Sequence, residues 1–259
     1  MKQLLVLSGK GGTGKTTIAS ALIRISQAKA FADCDIDAPN LHLVLKPMVE
    51  PQKKDYFGLP KALIDQDLCI KCGLCMEKCR FDSIDLDSGK YSIDYYACEG
   101  CGVCEYVCPV GAINLYPAKA GDIELYKDEF VFSTAKLKMG SGTSGLLVSE
   151  VKKQLKENAK EAAFAIIDGS PGIGCPVIAS ISGVDIVLVV AEPSVSGISD
   201  MERIIQTARK FQTKTLVCVN KFDINIEKIN EIKNFCYNNN IPYIGEVPFD
   251  KEAIKAVNN

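Results

Sequence analysis

The chain has 259 residues, of which 47% are hydrophobic and 24% are charged, and its formal net charge is −2 at pH 7. At about 150 residues per domain, this length allows one large α/β domain or a medium domain that carries a smaller module. The composition excludes a disordered or collagen-like chain, and the near-neutral charge gives no basic face for nucleic acid. Apolar runs such as residues 186–191 are too short to cross a membrane, so we expect a cytoplasmic protein with no membrane partner.

Short apolar segments alternate with helical patterns through most of the chain. The predicted strands cover residues 3–8, 163–168, 186–191, 215–220 and 243–247, and the helical patterns cover residues 145–160 and 198–211. Nearly continuous apolar strands that alternate with amphipathic helices are typical of a parallel sheet covered on both faces. The sequence therefore predicts an α/β fold with a doubly wound, mostly parallel sheet.

A glycine-rich loop follows the first predicted strand. It satisfies the pattern G-x-x-x-x-G-K-[ST] and stands between a strand and a helix, as this motif requires. The loop backbone can direct N–H groups at phosphate oxygens, while Lys15 reaches the β- and γ-phosphates and the Thr16 hydroxyl binds Mg²⁺. The predicted phosphate-binding residues are Gly9, Lys10, Gly11, Gly12, Thr13, Gly14, Lys15, Thr16 and Thr17.

Eight of the twelve cysteines lie between Cys69 and Cys108. They form two runs of the pattern C-x₂-C-x₂-C-x₃-C, in which the second run repeats the first at an offset of 29 residues. A cysteine-rich chain without a secretory signal favours metal binding over disulfides. Two Cys₄ zinc sites are one alternative, although zinc has no use for a third close cysteine in each run. The other cysteines, Cys34, Cys175, Cys218 and Cys236, are expected to be packed thiols.

The repeat extends beyond the cysteines and suggests an inserted module. Each copy predicts a short strand, a cysteine loop, a turn of helix and a second strand. Residues 47–60 are rich in Pro and Lys, and residues 119–145 are expected to be irregular except for a possible strand pair at 123–126 and 130–134. We therefore predict a domain of residues 60–118 inserted into a discontinuous nucleotide-binding domain of residues 1–59 and 119–259.

The second lysine of the loop, Lys10, makes G-K-G-G-T-G-K-T-T similar to the deviant Walker A motif of the MinD/ParA/Mrp group, relatives of the nitrogenase iron protein. The resemblance implies an ATPase of the slow switch type that uses ATP and Mg²⁺. It also implies a homodimer in which Lys10 crosses to the nucleotide of the partner subunit, forming an ATP sandwich. Asp33 and Asp35 resemble the switch I pair of this family, in which the residue matching Asp35 orients the attacking water. The implied catalytic residues are Lys10, Lys15 and Asp35.

The same resemblance extends to later segments of the chain. The segment from Ala165 to Gly172 looks like a Walker B strand that leads into switch II, which implies that Asp168 joins the Mg²⁺ shell and Gly172 contacts the γ-phosphate. Asn220 stands where the family has an adenine-binding Asn, and Pro248 stands in a loop like the one that packs near the base. The segment Asn220 to Asp223 also satisfies N-K-x-D, so guanine remains the alternative base.

Both cysteine runs resemble those of bacterial two-cluster ferredoxins. In that family the fourth cysteine of each run ligates the other cluster, which implies two [4Fe-4S] clusters with crossed ligand sets. Cluster one would use Cys69, Cys72, Cys75 and Cys108, and cluster two would use Cys98, Cys101, Cys104 and Cys79. Arg80 stands where the family has proline, which leaves ligation unchanged but makes the surroundings of the two clusters unequal.

Together the two resemblances imply an ATP-dependent switch coupled to electron transfer, with a protein electron donor or acceptor as partner. The alternative is an Mrp-like ATPase that carries or assembles iron-sulfur or other metal clusters for an apo-metalloprotein. Cys175 follows the switch II segment and could bridge a further cluster between subunits. An amide-forming synthase of the cobyrinic-acid type would share the P-loop fold but gives no reason for two clusters.

Overall fold

The structure, a computed structural model, describes residues 1–258, with backbone alone for residues 254 and 256–258. The chain divides into two compact units. The larger unit comprises Met1–Lys54, Ile123–Lys136 and Ser144–Asn259, and the smaller comprises Asp55–Asp122 and Leu137–Thr143. Within residues 1–258, no helix has the length and apolar character needed to span a membrane.

The strands and helices alternate along most of the chain. The strands are β1 (Lys2–Leu7), β2 (Ala30–Asp33), β3 (Gln52–Phe57), β4 (Lys61–Ile64), β5 (Ile84–Asp87), β6 (Lys90–Ile93), β7 (Ile113–Tyr116), β8 (Lys119–Lys127), β9 (Val131–Leu137), β10 (Phe164–Asp168), β11 (Ile186–Ala191), β12 (Lys214–Asn220) and β13 (Tyr243–Val247). The helices are α1 (Lys15–Ser26), α2 (Leu41–Leu45), α3 (Leu74–Lys78), α4 (Val103–Val107), α5 (Ser144–Asn158), α6 (Cys175–Ile181), α7 (Val195–Lys210), α8 (Ile226–Asn238) and α9 (Lys251–Asn258). A short 3₁₀ helix covers Phe222–Ile224.

A nine-stranded sheet has the order β13-β12-β11-β1-β10-β2-β9-β8-β3. Strand β1 pairs in parallel with both β10 and β11, and the parallel pairing continues through β12 to β13 and through β2 to β9. The predicted mostly parallel α/β sheet is therefore confirmed. The register sets Asp168 opposite Asp33, so two carboxylates stand side by side where β10 and β2 end.

Two predicted boundaries differ from the structure for local reasons. Helix α7 begins at Val195 rather than at residue 198, because the Ser194 hydroxyl accepts a hydrogen bond from the backbone N–H of Gly197 and caps the helix. The strand pair predicted at 123–126 and 130–134 is present, but β8 and β9 are both longer than predicted, so less of residues 119–145 is irregular than expected.

Strand β3 was not predicted either, because Pro and Lys dominate its surroundings in the sequence. Its residues QKKDYF are mostly exposed, and only Tyr56 is buried. Strand β3 lies at the edge of the sheet, where lysines discourage pairing with another chain. The polar, lysine-rich sequence that prevented the prediction of β3 is therefore typical of an edge strand.

The smaller unit is built from the two copies of the sequence repeat. Strand β4, helix α3 and strand β5 of the first copy recur 29 residues later as β6, α4 and β7. Strand β4 pairs antiparallel with β7, and β5 pairs antiparallel with β6. Each two-stranded sheet therefore takes one strand from each copy, which explains why neither copy could form this unit alone.

Candidate functional site

The glycine-rich loop connects β1 to α1 and is held by left-handed backbone at two glycines. Gly12 has φ 78° and Gly14 has φ 88°, a region that favours glycine. A Cβ atom on Gly14 would lie 2.2 Å from the Asn220 side-chain nitrogen, which itself donates a hydrogen bond to the Thr13 carbonyl at 2.7 Å. The loop borders a cavity of about 720 Å³ that Asp35 and Pro171 also line.

Lys15, Thr16 and Asp168 form a tightly connected group below the loop. The Lys15 ammonium lies 2.6 Å from one carboxylate oxygen of Asp168, and the Thr16 hydroxyl donates to the other at 2.6 Å. The same ammonium lies 3.9 Å from the Asp35 carboxylate. Lys15 is 6% exposed and Asp168 is fully buried. One buried cation thus faces two carboxylates next to a hydroxyl, a set that can hold both a phosphate and a magnesium ion.

Asp33 has a structural role that its resemblance to the switch I pair did not indicate. Its carboxylate accepts hydrogen bonds from the backbone N–H groups of Asp35, Asn40 and Leu41 at 2.9–3.0 Å. Burial and the neighbouring charge of Asp168 raise the pKa of Asp33 to about 7, against the backbone N–H groups that lower it. Asp33 therefore anchors the loop that carries Asp35. The sequence feature that could have indicated this role is the short spacing, since Asp33 stands two residues before Asp35 and seven before Asn40.

We expect the nucleotide-free chain to lose stability as the pH rises toward 7. Because the pKa of Asp33 is raised from 3.8 to about 7 on folding, its contribution favours the folded chain at low pH and is lost as the pH rises through about 7. Urea unfolding from about pH 5 to about pH 8 measures this slope, which Asp33→Asn should flatten. Asp37→Asn, at an exposed aspartate of the same loop, should keep the original slope.

Lys10 is held by a carboxylate that the sequence analysis missed. Its ammonium lies 2.9 Å from Glu192 and 3.3 Å from the Ser196 hydroxyl. Glu192 also lies 3.4 Å from the Lys221 ammonium, which donates to the Gly12 carbonyl at 2.8 Å. Burial alone would raise the pKa of Glu192. The hydrogen bond from Lys10 and the charges of Lys10 and Lys221 outweigh burial and lower this pKa. The available signal was the position of Glu192 directly after β11, at the same edge of the sheet as the loop.

Three further predicted residues lie outside the set that lines this cavity: Gly9, Gly172 and Pro248. Gly172 donates its backbone N–H to the Ser8 carbonyl at 3.1 Å and has φ 94°. Gly9 packs against Asp200 so closely that a Cβ atom would lie 2.0 Å from the Asp200 Cβ atom. Pro248 lies in the loop after β13, outside the set of residues that line the cavity.

The eight clustered cysteines form two groups of four in the smaller unit. Cys69, Cys72, Cys75 and Cys108 line one cavity, and Cys79, Cys98, Cys101 and Cys104 line another. Each group thus combines three cysteines of one run with the last cysteine of the other run. Within residues 1–258, no three His, Cys, Asp or Glu side chains converge closely enough to hold a single metal ion.

The loops that carry these cysteines have matching geometry. Helices α3 and α4 both follow a left-handed glycine, Gly73 with φ 80° and Gly102 with φ 78°. Cys108 Sγ accepts a hydrogen bond from the Ala112 backbone N–H at 3.2 Å, and Cys79 Sγ lies 3.2 Å from the Ser83 hydroxyl. Buried Cys75 and Cys98 pack with Ile84 and Ile113 in the core of this unit. Cys69, Cys79, Cys104 and Cys108 pack against the same core, whereas Cys72 and Cys101 are exposed.

The four scattered cysteines separate into two kinds. Cys34, Cys218 and Cys236 are buried, as predicted for packed thiols, and burial raises the pKa of each. Cys175 is exposed at the first position of α6, so the expectation of a packed thiol was wrong there. Gly174 is the N-cap of this helix and Pro176 lies in its first turn.

A glycine-rich loop joins β1, an interior strand of the mostly parallel sheet, to helix α1, and the Lys15, Thr16 and Asp168 side chains meet beneath it. This arrangement defines a P-loop nucleotide-binding protein. The chain belongs to the CobQ/CobB/MinD/ParA nucleotide binding domain family, whose sequence profile matches residues 4–259. It is 33% identical over 267 residues to the uncharacterized protein MJ0578 of Methanocaldococcus jannaschii, covering 99% of this chain and 88% of that protein.

Two further similarities concern the fold and the cysteine region. The septum site-determining protein MinD from Pyrococcus horikoshii, solved with Mg-ADP, superimposes with a TM-score of 0.56 at 16% identity, covering 99% of this chain and 84% of that one. The chain therefore shares the overall fold of that MinD. A ferredoxin of Pyrobaculum islandicum is 40% identical over 55 residues, which is 21% of this chain and 51% of the ferredoxin.

Proposed function

We propose that this chain is a dimeric, ATP-hydrolysing switch coupled to electron transfer through two [4Fe-4S] clusters. The observation that carries the proposal is the presence, in one chain, of the buried Lys15-Asp168 pair and two groups of four cysteines around separate cavities. The proposed domains are a nucleotide-binding domain of residues 1–59 and 119–259 and a ferredoxin-like domain of residues 60–118.

The geometry of the larger unit supports binding and hydrolysis of a nucleoside triphosphate. The loop backbone and Lys15 would bind the phosphates, and Thr16 with Asp168 would hold Mg²⁺. Asp35, which lines the same cavity, would orient the attacking water. ATP is favoured over GTP because a relative from Methanocaldococcus jannaschii, 27% identical over 263 residues, is named an uncharacterized ATP-binding protein. Asn220 and Pro248 remain the proposed residues near the base.

The donor set of the smaller unit fits two [4Fe-4S] clusters. Such a cluster is bound by four thiolates spread around it rather than by ligands that converge on one ion, and each cavity is bordered by four cysteines. The 40% identity to a ferredoxin over 55 residues supports the proposal that these cysteines bind iron-sulfur clusters. When bound, the clusters would supply one-electron redox chemistry, while the cysteines and the N–H group of Ala112 hold them and shape their surroundings.

Replacing Lys10 should abolish ATP-dependent dimerisation. In the chain described above, Lys10 contacts its own Glu192, whereas in the proposed dimer it would reach the phosphates bound to the partner subunit. We expect Lys10→Ala to stay monomeric with ATP in an Asp35→Ala background, which slows hydrolysis, as measured by sedimentation velocity. Lys214→Ala, at an exposed lysine of β12, should dimerise normally. Full dimerisation of Lys10→Ala would contradict the sandwich.

Coupling between nucleotide and clusters is tested by spectroscopy. The reduced protein is compared with Mg-ADP and with a non-hydrolysable ATP analogue under anaerobic conditions. We expect a change in the EPR spectrum, the reduction potential or the rate of electron transfer between the two nucleotide states. Identical values in both states would overturn the coupling while leaving nucleotide binding intact.

A second function, delivery or assembly of metal clusters for an apo-metalloprotein, is favoured by one observation. Cys72 and Cys101 are exposed, so one thiol of each group is open to an incoming acceptor. This function predicts that at least one cluster moves to an apo-ferredoxin within minutes when ATP is added. Retention of all iron by the chain in that assay supports electron transfer instead.

A further inference from the structure

Glu192 stands between two lysines beside the glycine-rich loop. Its carboxylate lies 2.9 Å from the Lys10 ammonium and 3.4 Å from the Lys221 ammonium. Lys10 stands near the start of the loop, whereas Lys221 donates a hydrogen bond to the carbonyl of Gly12 further along it. One carboxylate therefore faces two cations that both belong to the phosphate-binding region.

The backbone around Glu192 is held in place by helix α7. The Glu192 carbonyl accepts a hydrogen bond from the Ser194 N–H at 2.8 Å. A Cβ atom on Gly197, in the first turn of α7, would lie 2.3 Å from that carbonyl oxygen, so the helix packs directly on this residue. The Ser196 hydroxyl, in the same turn, accepts a hydrogen bond from the Lys10 ammonium at 3.3 Å. Two acceptors on one fixed turn therefore hold this ammonium.

The contact between Lys10 and Glu192 can be broken without leaving a lone charge behind. The Lys10 side chain is 38% exposed, so it can turn outward toward a partner subunit, whereas the Glu192 side chain is only 19% exposed. A carboxylate with little exposure is costly when its cation is removed. Glu192 avoids this cost because Lys221 remains within 3.4 Å after Lys10 has left. The arrangement therefore allows Lys10 to be both held and released.

We propose that Glu192 is a positioning residue that holds Lys10 within its own subunit until a partner subunit presents bound ATP. This inference rests on the proposed function, in which Lys10 crosses to the phosphates of the partner subunit. The Glu192 carboxylate and those phosphates compete for one ammonium, so the ion pair opposes dimerisation when no triphosphate is bound. Lys221 keeps the Glu192 carboxylate paired once Lys10 has crossed.

Lysine labelling of the anaerobically purified full chain without nucleotide tests the ion pair itself. Brief acetylation followed by mass spectrometry measures the rate at which the Lys10 amine reacts. We expect Glu192→Gln to raise that rate about threefold, because a neutral amide holds the ammonium less strongly than a carboxylate does. Asp185→Asn, which removes an ion pair with Lys2 at the opposite end of β11, should leave the Lys10 rate unchanged. Equal Lys10 rates in Glu192→Gln and the unaltered chain would overturn the proposal.

Sedimentation velocity tests what this ion pair does to the dimer. In the Asp35→Ala background with Mg-ATP, Glu192→Gln should lower the dimer dissociation constant about tenfold, since each dimer releases two pairs and each pair contributes about threefold. Asp185→Asn should leave that constant unchanged. If the background chain dimerises and Glu192→Gln does not dimerise more tightly, the role assigned to Glu192 is wrong while the ATP sandwich stands. If neither chain forms a dimer, the ATP sandwich itself is wrong, and this role falls with it.

Replacing Lys221 should have the opposite effect. Without Lys221, the Glu192 carboxylate would depend on Lys10, and the departure of Lys10 would leave it unpaired. We expect Lys221→Met to slow acetylation of Lys10 about threefold and to raise the dimer dissociation constant about tenfold. Loss of the hydrogen bond to Gly12 could weaken the dimer by itself, but it would not slow acetylation of Lys10. An unchanged or faster Lys10 rate in Lys221→Met would contradict the competition between the two lysines.

Discussion

Replacing Lys15 with Met is expected to lower the kcat for ATP hydrolysis by about 10²–10³-fold, the loss typical of removing one donor to developing charge. The physical reason is that Lys15 is the buried cation at the end of the glycine-rich loop and lies 2.6 Å from Asp168. Steady-state release of phosphate measures the effect. Lys210→Met, at an exposed lysine of α7, is the matched control and should retain full activity. A loss of less than tenfold in Lys15→Met would contradict the assigned role.

The same variant should also change stability in a way that depends on pH. Removing Lys15 leaves two neighbouring buried carboxylates, Asp33 and Asp168, without the charge that lowers the pKa of each. Both would then resist ionisation in the folded chain more strongly, so the loss of stability should be larger at pH 8 than at pH 5. Breaking a buried pair in this way costs about 3–5 kcal/mol. An equal loss at both pH values would show that the carboxylates do not depend on Lys15.

Replacing Cys108 with Ala is expected to remove the cluster of the opposite run. Cys108 belongs to the second run in sequence but borders the cavity of Cys69, Cys72 and Cys75. The remaining iron should fall from about eight to about four atoms per chain, and the EPR spectrum of Cys108→Ala should match that of Cys72→Ala. By the same reasoning, Cys79→Ala should match Cys101→Ala.

The pairing of these spectra decides the ligand sets. A Cys108→Ala spectrum that matches Cys101→Ala would mean that each run holds its own cluster. Cys236→Ala provides the control, because this buried thiol packs in α8 of the larger unit and should leave iron content and spectrum unchanged. Loss of iron in that variant would point to general destabilisation rather than to ligation.

Much of the fold follows from the sequence because the central strands are nearly continuous apolar segments. The predicted strands 186–191 and 243–247 match β11 and β13 at both ends. Strand β3 escaped prediction because an exposed edge strand carries no apolar signal, and the early start of α7 depended on a capping hydroxyl. Edges and caps are set by neighbours in space, which a single sequence does not display.

The candidate site divides in the same way. The loop, Lys15, Thr16 and Asp168 could be predicted because their order along the chain is itself the motif, and the structure brings them together at 2.6 Å. Glu192 could not be predicted as part of the site, because its contact with Lys10 joins residues that are distant in sequence.

The iron and acid-labile sulfide content of the anaerobically purified chain, determined together with its zinc content, tests the central claim most directly. The account predicts about eight irons and eight sulfides per chain with no stoichiometric zinc, in protein that also binds Mg-ATP. Zinc in place of iron, or iron without sulfide, would contradict it.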